Sequence, residues 1–367
     1  MDGESHISGN KGEWSELYVL LKALGDGRIY GADGNVKRKP DVYLDVNRVI
    51  RHDDGRNLVF VRVPERELVQ VLRDGEEFTT VVIPAIIEQY GRLFMAIRSG
   101  KNSFAIPDTE KFMRSIGCTT LKAPSDDKTD ITIEIHEPKT GMDLIQGFSI
   151  KSMLGNPSTL VNASGSTNFV YSLDGGMTES IVEKANEYRN GESKTKVIDM
   201  LTYLKNQGIT LRFADTDKRT LFNNLTLIDS SMPELVGEML ILYYQEGIAK
   251  ISDQIDRLNR KNPLKFRNPD EVPYYEYKIK KLLVSYALGM QSAKPWLGTE
   301  DANGGYIIVR EDGDVLCYHI FDRGSFEDYL VRNTKFDTPS VNRHGFAEVY
   351  RENGEYRLKL NMQIRFT

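Results

Sequence analysis

Asp130 and Lys151 are the pair in this chain whose types and spacing best suit chemistry. Asp130 opens the alternating run TDITIEIHE, and Lys151 sits in the next run, GFSIKS. A carboxylate can hold a divalent cation through its oxygens. An ammonium beside it can orient an attacking water or stabilise charge that develops on phosphoryl oxygens. Residues two apart in an extended chain share a face, so Gly147 and Ser149 stand with Lys151. Glu134 shares the face of Asp130 but lies four residues further along. PKTG supplies a turn between the runs, so a hairpin brings Asp130 and Lys151 together. Asp143 falls near that turn and reads as a turn residue. The plain alternative is a solvated polar hairpin face, which spacing alone does not exclude.

One carboxylate makes a thin metal site. A second can come from KGEWSELYVLLKAL, where Trp14, Leu17, Leu21 and Leu24 recur at helical spacing and Gly25 and Gly27 close the helix. Glu13 and Glu16 are three apart on one face of it. Either reaches the metal of Asp130 if this helix packs under the hairpin.

Two polar loops carry groups that match base edges in duplex DNA. One holds Asn162, Ser164, Ser166, Thr167 and Asn168, directly after the lysine strand. The other, TPSVNRHG, holds Ser340, Asn342, Arg343 and His344. Arginine pairs with guanine and asparagine with adenine, although the same residue types also fill ordinary turns. Lys278, Lys280 and Lys281 read first as a solvated helix face and second as phosphate contacts.

The elements around these residues alternate. Residues 1–10 read as a polar leader without an apolar segment, so no signal peptide is expected. Residues 28–63 read as strands, VPERELVQVLRDG as a short helix, TTVVIPAIIEQY as ambiguous, and DTEKFMRSIG as a helix capped by its aspartate. Residues 177–290 turn helical, with Pro273 near the start of the last helix. Strands return past Pro295, ending in a hairpin at ENGEY. The expected organisation is 1–176, a helical region 177–290, and a strand-rich 291–367. The helical block is then an insertion into, or a second domain beside, an α/β core.

With 367 residues, 40% hydrophobic and 28% charged, the chain suits a globular protein with a substantial core. A net charge of −5 does not announce nucleic acid, but an acidic protein can still line one cleft with cations. Cys118 and Cys317 fit neither a metal motif nor a disulfide framework and read as small buried groups in a reducing compartment. Trp14 reads as a core anchor, Trp296 as core or interface. No run is long and apolar enough for a membrane span, so a cytoplasmic protein is expected.

Three separated blocks resemble the HpaII restriction endonuclease family: GNKGEWSELYVLLKAL, TDITIEIHEPKTGMDLIQGFSIKSMLGNPSTLVNASGSTNF, and RHGFAEVYRENGEYRLKLNMQIRF. The resemblance implies a type II restriction endonuclease of mixed α/β (α+β) fold. Its PD-(D/E)XK-like core would be a mixed sheet flanked by helices, and it would require Mg2+. It implies duplex DNA bearing CCGG as substrate, short 5′ overhangs as product, and a companion cytosine methyltransferase as functional partner. The metal aspartate falls on Asp130 and the lysine on Lys151. The helix glutamate falls on Glu16, with Glu13 the other option. The position two before the lysine departs from the pattern: it is Ser149, a poor metal ligand. Competing readings are a decayed DNA-binding or assembly protein, which would lack magnesium-dependent cleavage, and a repair nuclease, which would need a lesion or flap. A palindromic site suits a homodimer, while a monomer that nicks twice is equally consistent.

Overall fold

The computed structural model describes residues 7–121, 129–268 and 271–367. These form two compact units, the first containing the chain up to Ser158 and Glu300–Tyr329, the second Thr159–Thr299 and Leu330–Thr367. Of the expected leader, residues 1–6 lie outside the described residues. Ser8–Gly9 is already a short strand, and Asn10 caps the first helix.

The chain enters the first unit with β1 (Ser8–Gly9), α1 (Lys11–Asp26), β2 (Arg28–Ala32), β3 (Arg38–Asp53), β4 (Arg56–Val63), β5 (Leu68–Arg73) and β6 (Glu76–Val82). It continues with α2 (Ile83–Ser99), β7 (Phe104–Ala105), α3 (Pro107–Ser115), β8 (Ile131–Glu137) and β9 (Met142–Ser152). The second unit takes β10 (Thr159–Val161), β11 (Asn168–Asp174), α4 (Glu179–Asn190), α5 (Lys196–Asn206) and β12 (Thr210–Thr216). It then adds α6 (Arg219–Ile228), α7 (Met232–Glu246), α8 (Ile251–Lys261) and α9 (Tyr274–Leu288). The chain returns to the first unit for β13 (Gly305–Val309) and β14 (Val315–His319), and α10 (Arg323–Arg332) follows. Last come β15 (Thr334–Phe336), α11 (Val341–His344), β16 (Val349–Glu352), β17 (Glu355–Asn361) and β18 (Ile364–Phe366) in the second unit.

Among the described residues, the first unit has a mixed sheet in the order β2-β14-β13-β9-β8-β3-β4-β5-β6, and β2 also pairs with β3. That extra pairing closes six strands into a ring, because the long β3 takes β2 and β4 in succession along one edge and β8 along the other. The pairings β13–β9 and β14–β2 are parallel and the rest antiparallel. Trp14, Leu17 and Leu21 of α1 share one hydrophobic core with Phe60, Ile133 and Ile135 of the sheet. Deleting side-chain carbons at such sites costs about 2–5 kcal/mol each.

Local chemistry explains these elements. α1 begins in a reciprocal capping box: Asn10 Oδ1 accepts from the Gly12 and Glu13 amides, and the Glu13 carboxylate accepts from the Asn10 amide at 2.9 Å. It ends at Gly27, whose φ of +71° favours a residue without Cβ. The stretch expected as a short helix, VPERELVQVLRDG, is instead a 3-10 turn followed by β5. Val69 and Val71 alternate inward between β4 and β6, so the period of two prevails. The ambiguous TTVVIPAIIEQY divides at Val82, and Pro84 in the first turn of α2 marks the switch. Asp108 lies in the first turn of α3 and does not cap it.

In the second unit, β12-β11-β17-β16 form an antiparallel sheet and β10-β18-β15 a smaller one. Among the described residues of 177–290 the elements are the helices α4 to α9 and β12, which pairs along β11. Pro273 is the N-terminal cap position of α9, and Asn353 and Gly354, both at positive φ, turn β16 into β17. Cys118 and Cys317 are both buried. Among the described residues no helix is long and apolar enough to cross a membrane.

Candidate active site

The β8–β9 hairpin forms in the register that the alternation implies, with Ile131, Ile133 and Ile135 buried and Ile131 opposite Phe148. β9 overruns β8, and its last residues, Phe148–Ser152, pair on their other edge with β13. Asp130 sits just before β8, and its amide donates to the Phe148 carbonyl at 2.9 Å. Its carboxylate then continues the ladder in place of a backbone acceptor: Oδ2 accepts from the Ile150 amide at 2.6 Å and from Ser149 Oγ at 3.0 Å. Lys151 Nζ donates to the same Ser149 Oγ at 2.9 Å. The buried Ser149 hydroxyl therefore links Asp130 to Lys151. The Lys151 ammonium also stands 5.1 Å from the ring centroid of Tyr306.

α1 lies beside the end of β9, where the hydroxyls of Ser15 and Ser152 are 2.8 Å apart. This helix is buried over most of its surface from Trp14 to Gly25, so the half-buried Glu16 is one of few polar side chains along that stretch. Glu16 and Lys151 line one open depression of about 920 Å³. The structure separates the two helix glutamates: Glu13 is held in the capping box, and Glu16 opens into the depression. Glu134, the other carboxylate on the face of Asp130, pairs with Arg48 at 2.6 Å. Asp143 lies at the start of β9, where it meets His136 at 3.0 Å and Asn47 at 3.1 Å.

Among the described residues no group of three or more His, Cys, Asp or Glu converges as a ready-made metal cage. The donors present are hard carboxylate oxygens. The Ser149 hydroxyl and the Ile150 amide both donate to Asp130 Oδ2. Magnesium is commonly held by one or two carboxylates with waters and substrate phosphates rather than by a full protein cage, and carboxylate is the donor type that Asp130 and Glu16 each supply.

Lys11, Lys101, Asn102 and Asn156 also line the depression. Reading the sequence did not find them, because they come from three separate segments and share no period. In the second unit the two polar loops meet. Asn168 Nδ2 donates to the His344 carbonyl at 3.0 Å, and Asn361 Nδ2 donates to the Ser164 carbonyl at 2.7 Å and to Asn168 Oδ1 at 2.6 Å. Asn168 and Asn361 are buried, so this amide pair is spent on joining the loops. Ser164 caps the 3-10 turn Gly165–Thr167 and accepts from the Ser166 amide. Asn162, Ser340, Asn342 and Arg343 are exposed, Ser166 is half-buried, and burial with the nearby Arg343 charge holds His344 below the usual imidazole range. Trp296 is half-buried in a loop tied down by Asn224, where its indole donates to the Thr299 carbonyl at 2.8 Å.

A carboxylate and a lysine are thus joined through one hydroxyl at the end of the hairpin, and the lysine shares its depression with Glu16, Lys11 and Lys101. The family model of the HpaII restriction endonuclease matches residues 10–366, and the chain belongs to that family. It is similar to the type II restriction enzyme HpaII of Haemophilus parainfluenzae, with 40% identity over 362 residues, 98% of this chain and 99% of that enzyme. No solved structure matches the chain.

Proposed function

We propose that this restriction endonuclease hydrolyses duplex DNA at CCGG with Mg2+, through a PD-(D/E)XK-type site whose carboxylates are Asp130 and Glu16 and whose lysine is Lys151. The single observation that supports this reading is the chain Lys151–Ser149–Asp130 at the end of the hairpin, whose Lys151 lines the depression that Glu16 also lines. The reading rests on these side chains and not on the outline of the sheet, which closes into a six-stranded ring.

Asp130 and Glu16 would hold the ion, which when bound would neutralise phosphate charge and lower the pKa of a water. Lys151 orients the attacking water and stabilises charge developing on the phosphoryl oxygens. Ser149 stands where the family pattern has a carboxylate and holds Lys151 in place. Lys11 and Lys101 take flanking phosphates. Arg343 and Asn342, with Asn162, Ser164, Ser166, Ser340 and His344 around them, meet the bases, while Asn168 holds the two loops together. Cutting leaves short 5′ overhangs, and cytosine methylation by the companion enzyme protects the cell's own DNA in the cytoplasm. Two copies of the chain match the two-fold symmetry of the site.

The test is digestion of unmethylated and CCGG-methylated plasmid with magnesium, followed by sequencing of the ends. Discrete fragments ending at CCGG, absent with methylated DNA or with a chelator, support the reading. No cleavage points to a decayed DNA-binding protein, and cleavage that requires a lesion or flap points to a repair nuclease.

A further inference from the structure

In the parallel pairing of β9 with β13, Tyr306 is the register partner of Ser149, and Ile308 that of Lys151. Register partners point to the same face of a sheet, so the Tyr306 ring belongs to the face that carries the candidate site. The ring is 2% exposed and is packed by Phe326 of α10 at 5.2 Å between centroids. Its face lies 5.1 Å from Lys151 Nζ, within the roughly 6 Å over which an aromatic face attracts a cation. Burial and the Asp130 charge both push the Tyr306 phenol up, so it stays neutral beside the ammonium. A lysine on a flexible four-carbon stem has many rotamers, and a buried aromatic face near its ammonium narrows them.

We propose that Tyr306 is a positioning residue for cleavage: its ring face holds the Lys151 ammonium where it meets the scissile phosphate. The assignment depends on the nuclease reading above. It also explains how an enzyme with serine in place of the usual carboxylate can keep its lysine aimed. The ammonium meets both a hydroxyl and a π-face.

The test replaces Tyr306 by phenylalanine and then by phenylalanines of increasing ring fluorination, which keep the size of the ring while draining its negative face. Single-turnover cleavage with magnesium, duplex binding with calcium and thermal melting are measured for each protein. Phenylalanine should cut within about threefold of the parent, and the rate should then fall stepwise by about tenfold or more across the series, while binding and melting hold. Equal rates across the series overturn the proposal, because packing alone would then explain the ring. A phenylalanine variant as slow as the most fluorinated one also overturns it, since the hydroxyl and not the face would carry the effect. If the parent itself does not cut, the nuclease reading has failed and not the role of the ring.

Discussion

Asn168 donates its side-chain amide to the main-chain carbonyl of His344 at 3.0 Å, across 176 residues of sequence. This bond, with Asn361 beneath it, turns two distant polar loops into one surface in the second unit. Removing a partner from a buried hydrogen bond costs the desolvation of the group left behind, about 1–3 kcal/mol. Asn168→Ala should lose that much stability in denaturant unfolding and weaken DNA recognition as a secondary effect. A variant of parental stability would show that the loops are held by other means.

Arg343 is exposed on α11 beside that joint. If it reads guanine, Arg343→Ala should lose about 1–3 kcal/mol of discrimination between CCGG and singly altered duplexes in competition binding. Equal weakening on every duplex would reduce Arg343 to a phosphate contact.

Lys151→Ala removes the ammonium held by Ser149 and Tyr306. The loss of one group that stabilises transition-state charge should slow single-turnover cleavage about a hundred- to a thousandfold. Gel shifts in calcium should still show site-selective binding. Cleavage near the parental rate would remove Lys151 from the mechanism.

The two helix glutamates should separate cleanly. Glu16→Gln should abolish the magnesium response and leave unfolding nearly unchanged. Glu13→Ala should cut normally and lose about 1 kcal/mol with its capping box. Lys101→Ala, at the rim of the depression, should lower the slope of log affinity against log salt by about 0.9 if it neutralises one phosphate. An unchanged slope would mean that Lys101 meets no backbone charge.

His319 is buried and neutral. Its Nε2 faces Gln146 Oε1 at 2.5 Å, and its Nδ1 accepts from the Phe321 amide at 3.2 Å. Burial lowers its pKa to about 4, against a smaller opposing pull from Glu137. The unfolded chain therefore binds a proton that the folded chain refuses. Stability from this group is full above about pH 6.5 and is lost as pH falls toward 4, amounting to about 3 kcal/mol at most. Denaturant unfolding of the parent should steepen over that window relative to His319→Gln. Parallel pH profiles would contradict a buried neutral imidazole.

Short-range patterns were readable from the sequence alone. The glycine that closes α1, the alternating isoleucines of β8, the turn at PKTG and the hairpin turn at ENGEY each specify their own few residues through local sterics and period. Together they placed Asp130 and Lys151 on adjacent strands. Local period failed where two readings fit the same residues, as in the segment that became β5, because its strand pairs decided the matter. What the sequence could not contain was the company these residues keep. β13 joins the overrun of β9 only after the chain has passed through the second unit, so Tyr306 reaches Lys151 from 155 residues away. Glu16 and Glu13 are equivalent by helical spacing, and only the packing of α1 beside β9 turned one into the depression while the cap kept the other. Spacing along a strand or helix is set by backbone geometry within a few residues. Which distant side chain faces an ammonium is set by burial and strand pairing across the whole unit.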